Sequence, residues 1–549
     1  MFIDARTLES GVTLRSKVCV VGGGVAGITL ALGLEKAGID TIVLESGGHA
    51  ADDETRDLYR GENVGLPYVF GDGCRSRFLG GSSNCWGGWC GPMREYDMQA
   101  RSWVPDSGWP FDRATLEPFY ERAHETLKLG PYNYDIDHWV NKIGRADVKR
   151  YPLPTGRVHD ILSQFSNPSR MGSVHRDTLH NAKNVRVLLF ANAVDLQTDP
   201  TAKTVQQIKI KTLTGKNFTV AAETFVLASG GIENPRLLLS SNTVRPNGLG
   251  NDNDLVGRYF TDHPRLTLGD VKLNPQWQRN KLYDIKFHYL NKAVSAGGTY
   301  VSSQFSLDHK LHEREGIQNA QVWFTSIFAG EGSEGSEALI RMKQRIHGKH
   351  EPGANFWKDV GTMATQPFST LSFAAARQFQ PAALIRKVQL QIVLEPAPNY
   401  HSRVTLGADR DALGLRRVNV DWRLTDRDMR TWDRTAAIFA DELKQAGIAE
   451  ITLPEPFEKT GLPDLPTSPI YNLGCWHHMG TTRMHDSPRQ GVVDRNGLVH
   501  GMSNLYVAGS SVFPTFGANF PTITIAALAH RMADHLAAAK VQAPTLEVA

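Results

Sequence analysis

Val18–Gly27 reads VCVVGGGVAG, and the fold is decided by this stretch. Val18–Val21 is a short apolar run, expected as a fully buried strand. The glycine turn follows at once. Val25–Leu34 then carries helix formers with an apolar face, and Gly38 ends it. Asp40–Glu45, DTIVLE, predicts a second buried strand. The unit is β-turn-α-β. Gly22 permits the tight turn, Gly24 lets backbone approach a pyrophosphate, and Gly27 lets the helix lie close to the strand. The helix, opened by Val25, offers free N–H groups and a positive dipole end to phosphates. Glu45 stands where an acid binds ribose hydroxyls. A dinucleotide site is expected, against the alternative of a glycine turn with no ligand. These residues alone do not separate FAD from NAD.

The other 500-odd positions constrain the class. A chain of 549 residues is too long for one hydrophobic core, so at least two domains are expected. Hydrophobic content of 41% and charged content of 21% are those of a globular protein. A net charge of +3 without a basic tract points away from nucleic acid and anionic membranes. The five cysteines have neither zinc-finger nor thioredoxin spacing, which suits reduced thiols and a cytoplasmic location. No secretory signal or apolar span of about twenty residues is visible, so no membrane association is expected. Thr115–Leu127 predicts a helix, and Thr425 with Asp428 caps a long one running through Ala446. Val185–Leu189, Thr204–Ile210, Phe225–Leu227, Gln389–Leu394, Arg403–Leu406 and Leu505–Val507 predict strands, and Gly330–Ser336 a surface loop.

Five further segments resemble the glucose–methanol–choline (GMC) oxidoreductases. Arg77–Gly88 reads RFLGGSSNCWGG, Phe225–Leu239 FVLASGGIENPRLLL, and Leu255–Pro264 LVGRYFTDHP. Trp476–Met484 reads WHHMGTTRM, and Ser503–Ala527 SNLYVAGSSVFPTFGANFPTITIAA. The middle, roughly 266–464, matches far less. The resemblance implies an α/β protein: a Rossmann-like FAD-binding domain with a second α+β substrate domain built on an antiparallel sheet. The FAD-binding domain would draw on 1–100, 185–265 and 465–549, and the substrate-binding domain on 101–184 and 266–464.

Carried over position by position, the resemblance implies cofactor contacts at Glu45, Ser46, Arg77, Gly80, Gly81, Ser83, Asn84, Cys85, Trp86, Gly87 and Ala228. Val194 resembles the residue beside the adenine, and Ala508, Gly509 and Ser510 the segment beside the phosphates and ribityl chain. Pro521 and Thr522 open the last helix, whose start would favour negative charge on the flavin N1–C2=O edge. Some sugar-oxidising members carry a flavin-linked histidine where this chain has Cys85, so non-covalent FAD is expected, with a cysteinyl link as the alternative.

The family oxidises a CH–OH group, with a histidine taking the hydroxyl proton. His477 falls at that position, and the adjacent His478 would face the other way on an extended segment. The competing readings are that both are structural, or that Cys475, His477 and His478 hold a metal; no metal is expected. The family's second catalytic group stands immediately before the Pro-Thr, where this chain has Phe520. Asn519, one residue early, is the expected substitute. The motif WHHMGTTRM and the stretches Glu395-Pro396 and Ser402–Leu406 resemble the sugar-oxidising, pyranose-oxidase-like branch. A sugar or glycoside oxidised to a ketone is therefore expected, with O2 or another electron acceptor. The alternatives are a dehydrogenase of a non-sugar alcohol, a lyase of the hydroxynitrile type, a fatty-acid photodecarboxylase, and a non-catalytic FAD scaffold.

Overall fold

Thr13–Val21 alternates in exposure to Lys17 and is then buried through Val18–Val21, as a strand does on entering a core. In the computed structural model, which describes residues 1–70, 74–166, 169–278, 280–287, 294–346, 355–379, 382–462 and 473–542, it is central to an eight-stranded mixed sheet. Thr41–Leu44 and Asn217–Leu227 flank it in parallel. Val185–Leu189 and then Phe2–Asp4 extend the parallel run on the first side. On the second, Asn217–Leu227 is long enough to take two partners. Val205–Lys211 runs antiparallel to its first half, and Leu505–Val507 parallel to its last three residues. Asn192–Thr198 completes the edge.

Four parallel strands thus end together. Val21 leads into Gly22, Leu44 into Glu45, Leu227 into Ala228, and Val507 into Ala508. Ladder bonds tie these ends: Gly22 N–H donates to Leu44 O (2.8 Å), Ala228 N–H to Val21 O (2.8 Å) and Ala508 N–H to Leu227 O (2.8 Å). Ligands of open α/β sheets bind at such carboxyl ends.

The helix Val25–Lys36 packs on Thr522–Gln542 so closely that a Cβ on Gly33 would lie 2.6 Å from the Ala533 Cβ. Glu117–Thr126 braces that last helix from the other side, through Tyr120 Oη to Thr524 Oγ1 (2.9 Å) and Thr126 Oγ1 to His530 Nε2 (2.8 Å).

The second large sheet is antiparallel throughout. Its order is Ala449–Thr452, Arg265–Leu273, Ile385–Leu394, Ala320–Phe328, Thr299–Leu307, Val158–Phe165, Trp89–Cys90. Asp426–Gln445 covers it, burying Trp432 and Phe439. The predicted cap holds: Thr425 N–H and Oγ1–H both donate to Asp428 Oδ2, at 2.6 and 2.8 Å.

Two local expectations change. Gly330–Ser336 is not wholly loop: a helix Glu334–Ile346 begins within it, where Ser336 N–H donates to Ser333 Oγ at 3.2 Å. Thr115–Leu127 begins as a 3-10 turn, Arg113–Leu116, before the α-helix Glu117–Thr126. Trp89–Cys90 pairs in the antiparallel sheet although it falls within 1–100, and the expected boundary at 464/465 lies outside the described residues.

Candidate active site

A cavity of about 420 Å³ opens along the carboxyl ends of the parallel strands. It runs from the glycine turn to His477. Gly22 has φ of 110°, and a Cβ there would lie 2.7 Å from Ala228 O. A Cβ on Gly27 would lie 1.9 Å from Gly22 O, so this helix and turn can meet only through glycine. Glu45 is buried and accepts from Gly23 N–H and Gly47 N–H, both at 2.9 Å. Burial pushes its carboxyl up, and these two donors oppose the rise.

Gly22, Gly24, Val25, Glu45, Ser46, Arg77, Gly81, Ser83, Cys85, Trp86, Gly87, Ala228, Gly509, Ser510, Pro521 and Thr522 all line this cavity. Gly27, Gly80, Asn84 and Val194 stand behind it. Val194 packs with Leu58 and Leu413, and its neighbours Ala191, Asn192 and Ala193 line the wall instead. Arg77 Nε donates to Ser46 Oγ at 2.6 Å and shares Glu233 with Arg75 and Arg236, at 3.1–3.3 Å. Burial raises the Glu233 carboxyl, but the three guanidiniums outweigh it and hold Glu233 at about 2. The Cys85 thiol donates to Ser82 O at 3.3 Å.

The far end is assembled from distant segments. Residues 474–479 run beside 261–264, bridged at Thr261–Met479 and Pro264–Gly474. His477 and His478 both line the cavity, so the expected split between them does not keep His478 out of it. His478 lies near Phe260 and Tyr68, with ring centroids 5.9 and 6.0 Å away. His477 meets Phe520 edge-on at 4.8 Å, and Phe520 meets Trp89 at 4.4 Å. The His477 Nδ1 lies 2.9 Å from Nδ1 of His263, whose Nε2 lies 2.9 Å from Gly517 O.

Asn519 does not line the cavity. Its Nδ2 donates to Pro92 O at 2.8 Å, and its Oδ1 accepts from Gln321 Nε2. Phe520 takes the cavity side, so Asn519 faces the antiparallel sheet. Among the described residues no cluster of three or more metal-binding side chains occurs.

The carboxylate of Asp262 fastens this end. Its Oδ1 accepts N–H from His263 (2.6 Å), His477 (2.7 Å) and Cys475 (3.2 Å). Its Oδ2 accepts from Trp476 N–H and Tyr68 Oη–H, both at 2.6 Å. Trp476 sits at φ of 62°, a conformation non-glycine residues adopt only when the surroundings hold them there. Burial pushes Asp262 up to about 6, and its donors keep it from rising further. Burial and the neighbouring His263 push the His477 imidazole well below its ordinary value, so the ring is neutral at pH 7. Burial likewise lowers His263 to about 4.

Sequence reading passed over His263 and Asp262, though both lie in the quoted stretch Leu255–Pro264. Their partners beyond each other are more than 190 positions away, and nothing local marks a histidine that answers another across the fold.

Comparison with known proteins places these features. Residues 398–529 match the family model for the GMC oxidoreductase, and residues 15–58 match that for an FAD binding domain. The 6'''-hydroxyparomomycin C oxidase of Streptomyces lividus is 23% identical over 95% of this chain and 92% of its own length. The paromamine 6'-oxidase of Streptomyces fradiae is 24% identical over 97% and 93%. A solved fungal aryl-alcohol oxidase superposes with a TM-score of 0.55 at 16% identity, over 96% of this chain and 99% of that one.

Proposed function

Because the chain is a GMC oxidoreductase with FAD as its cofactor, acting on CH–OH donors, we propose that it oxidises a hydroxyl of a sugar or glycoside to a carbonyl, a ketone where the hydroxyl is on the ring, with His477 as the base. The observation that carries this reading is one continuous cavity with the Gly22–Gly24 turn at one end and a neutral histidine at the other. The residues fit FAD: the turn and the start of the last helix offer N–H donors, Glu45 is positioned for ribose hydroxyls, and the cavity volume is that of a small-molecule site. When bound, FAD supplies the two-electron acceptor for the hydride leaving carbon.

His477 takes the hydroxyl proton on an imidazole nitrogen. A neutral ring is required for that, and burial provides one. Trp89 and Phe520 form an apolar wall beside it, suited to the face of a sugar ring. The indole N–H of Trp89 is buried with no partner among the described residues. The two Streptomyces relatives are named for aminoglycoside substrates, which favours a glycoside over a simple alcohol. FAD is held without a covalent bond, and acid precipitation would release it. Residues 1–88, 185–264 and 473–542 carry the cofactor side, while 101–184 and 265–462, joined by Trp89–Cys90, build the antiparallel sheet on the substrate side. Asn519 serves the site by holding Phe520 in place rather than by touching the reacting oxygen.

The test is anaerobic: sugars, glycosides, choline and aryl alcohols are added in turn and flavin absorbance is followed. Bleaching by a glycoside is expected. Bleaching by choline or aryl alcohols alone would move the reading to a non-sugar alcohol, and no bleaching by any of them would point to a non-redox protein. Hydrogen peroxide release in air then separates oxidase from dehydrogenase.

A further inference from the structure

We propose that His263 is a positioning residue which fixes the tautomer of His477, leaving Nε2 of His477 as the nitrogen that takes the substrate proton. The inference rests on the reading of His477 as the base, and follows from what each atom in the chain Gly517–His263–His477 can donate.

Gly517 O is a carbonyl oxygen and can only accept. The 2.9 Å contact to it therefore requires the proton of His263 to sit on Nε2. His263 is fully buried and holds a single ring proton at neutral pH, so its Nδ1 is bare. The 2.9 Å contact between the two Nδ1 atoms then needs a proton from His477. His477 is itself neutral, with one ring proton, and that proton is committed to Nδ1. The one ring hydrogen bond of His477 among the described residues is at Nδ1, and His477 lines the cavity. The lone pair is thereby presented where a substrate hydroxyl would stand. Without an acceptor at Nδ1 the two tautomers would compete, and the Nε2–H form cannot act as a base on that side.

The arrangement is rigid. One oxygen, Asp262 Oδ1, accepts from the backbone N–H of both histidines. The carbonyl at the far end belongs to a loop clamped by Glu395, whose Oε1 accepts from Phe516 N–H at 3.3 Å. The charged groups facing the pair are Asp262 beneath, Glu395 behind His263, and Arg265 with His478 beside His477. When His477 gains the substrate proton it becomes a cation. Its Nδ1–H bond to His263 becomes charge-assisted and shorter, and the charge spreads toward Gly517 O through His263.

The experiment uses FAD-loaded enzyme and single-turnover flavin reduction without oxygen, with a glycoside that bleaches the wild type. His263→Leu, which has no acceptor, is expected to slow reduction roughly 10- to 100-fold, the range for losing the partner that orients a functional histidine. KM and bound FAD should change little. His263→Asn, whose Oδ1 replaces Nδ1 as acceptor, is expected to recover most of the rate. A wild-type rate in His263→Leu, or a His263→Asn no faster than it, would overturn the proposal. Should His263→Leu fail to fold, 15N-histidine labelling of the wild-type holoenzyme decides, with His477 assigned by difference from His477→Asn. The proposal requires the proton on Nδ1 of His477, and a proton on Nε2 contradicts it. His477→Ala separates the two levels. If that variant reduces flavin normally, the reading of His477 as base falls; if only the His263 variants are normal, this proposal alone falls.

Discussion

The two ends of the cavity are built in opposite ways. The proposed phosphate end centres on one run of sequence, Gly22 to Glu45, with local hydrogen bonds such as Gly23 N–H to Glu45, and other segments such as Arg77 and Ala228 close around it. The reactive end takes Trp89, His263, His477 and Phe520 from four separate segments: ring contacts link Trp89, Phe520 and His477, and the carboxylate of Asp262 ties the strip of His263 to that of His477. A cradle for phosphates needs backbone N–H groups and room, which glycine spacing supplies anywhere in a chain. A base needs a defined protonation state, and only side chains fixed from several directions provide that. The first end should therefore fail by losing cofactor, and the second by losing rate while cofactor stays bound.

The sharpest way to break the contrast lies at the first end. Gly27→Val would force a side chain into Gly22 O, already 1.9 Å from an added Cβ. We expect the purified variant to carry no FAD, as judged by its visible spectrum. Full FAD content would show that the helix can retreat from the turn.

Next in size is the clamp behind the reactive end. Arg101 and Glu395 form a buried pair at 2.6 and 2.7 Å. Glu395→Ala leaves Arg101 unpaired in the interior, and a loss of about 3–5 kcal/mol in denaturant unfolding is expected. An unchanged midpoint would mean that the clamp does not carry the Phe516–Gly517 loop.

Asn519→Ala should do less. It removes the bond to Pro92 O and leaves Gln321 without its partner, a cost of about 1–3 kcal/mol. Turnover should fall by less than about tenfold, a barrier change under about 1.4 kcal/mol, since the side chain does not line the cavity. A collapse of turnover at full stability would instead put Asn519 on the substrate.

The smallest effect is on pH dependence, and again the ends differ. Glu233, beside the phosphate end, is held at about 2 against an ordinary 4.5. Its folded value is depressed, so its contribution is present above about 4.5 and is lost as pH falls toward 2. Melting temperature should drop across that window, and Glu233→Gln should flatten the drop. At the reactive end His477 must be neutral to act, and its value is lowered. The acid limb of kcat/KM should therefore lie well below 6.5. A limb centred near 6.5 would mean an ordinary, solvated histidine.

Legibility in the sequence follows the same division. Val18–Glu45 could be read because each signal acts on its neighbours: apolar run, glycine, helix formers, apolar run. The antiparallel sheet was largely invisible. Thr299–Leu307 buries Ser302, Ser303, Gln304 and Ser306, so it shows neither alternation nor an apolar run. Two of those polar groups are matched across to Val158–Phe165, with Ser303 Oγ–H donating to Ile161 O at 3.2 Å and Ser163 Oγ–H to Gln304 Oε1 at 2.7 Å, and pairing at that separation leaves no local pattern. At the other end His477, the proposed base, was singled out through its motif. His263 was quoted inside another motif and passed over, because its role exists only once the two strips lie side by side.

The central claim is that holding the cofactor and taking the proton are separable tasks at opposite ends of one cavity. The most direct test is anaerobic flavin reduction by a glycoside in His477→Ala, with bound FAD counted in the same sample. The account predicts a full complement of FAD that stays oxidised, or is reduced on the order of 100- to 10,000-fold more slowly than in the wild type. Full FAD reduced at the wild-type rate would contradict it.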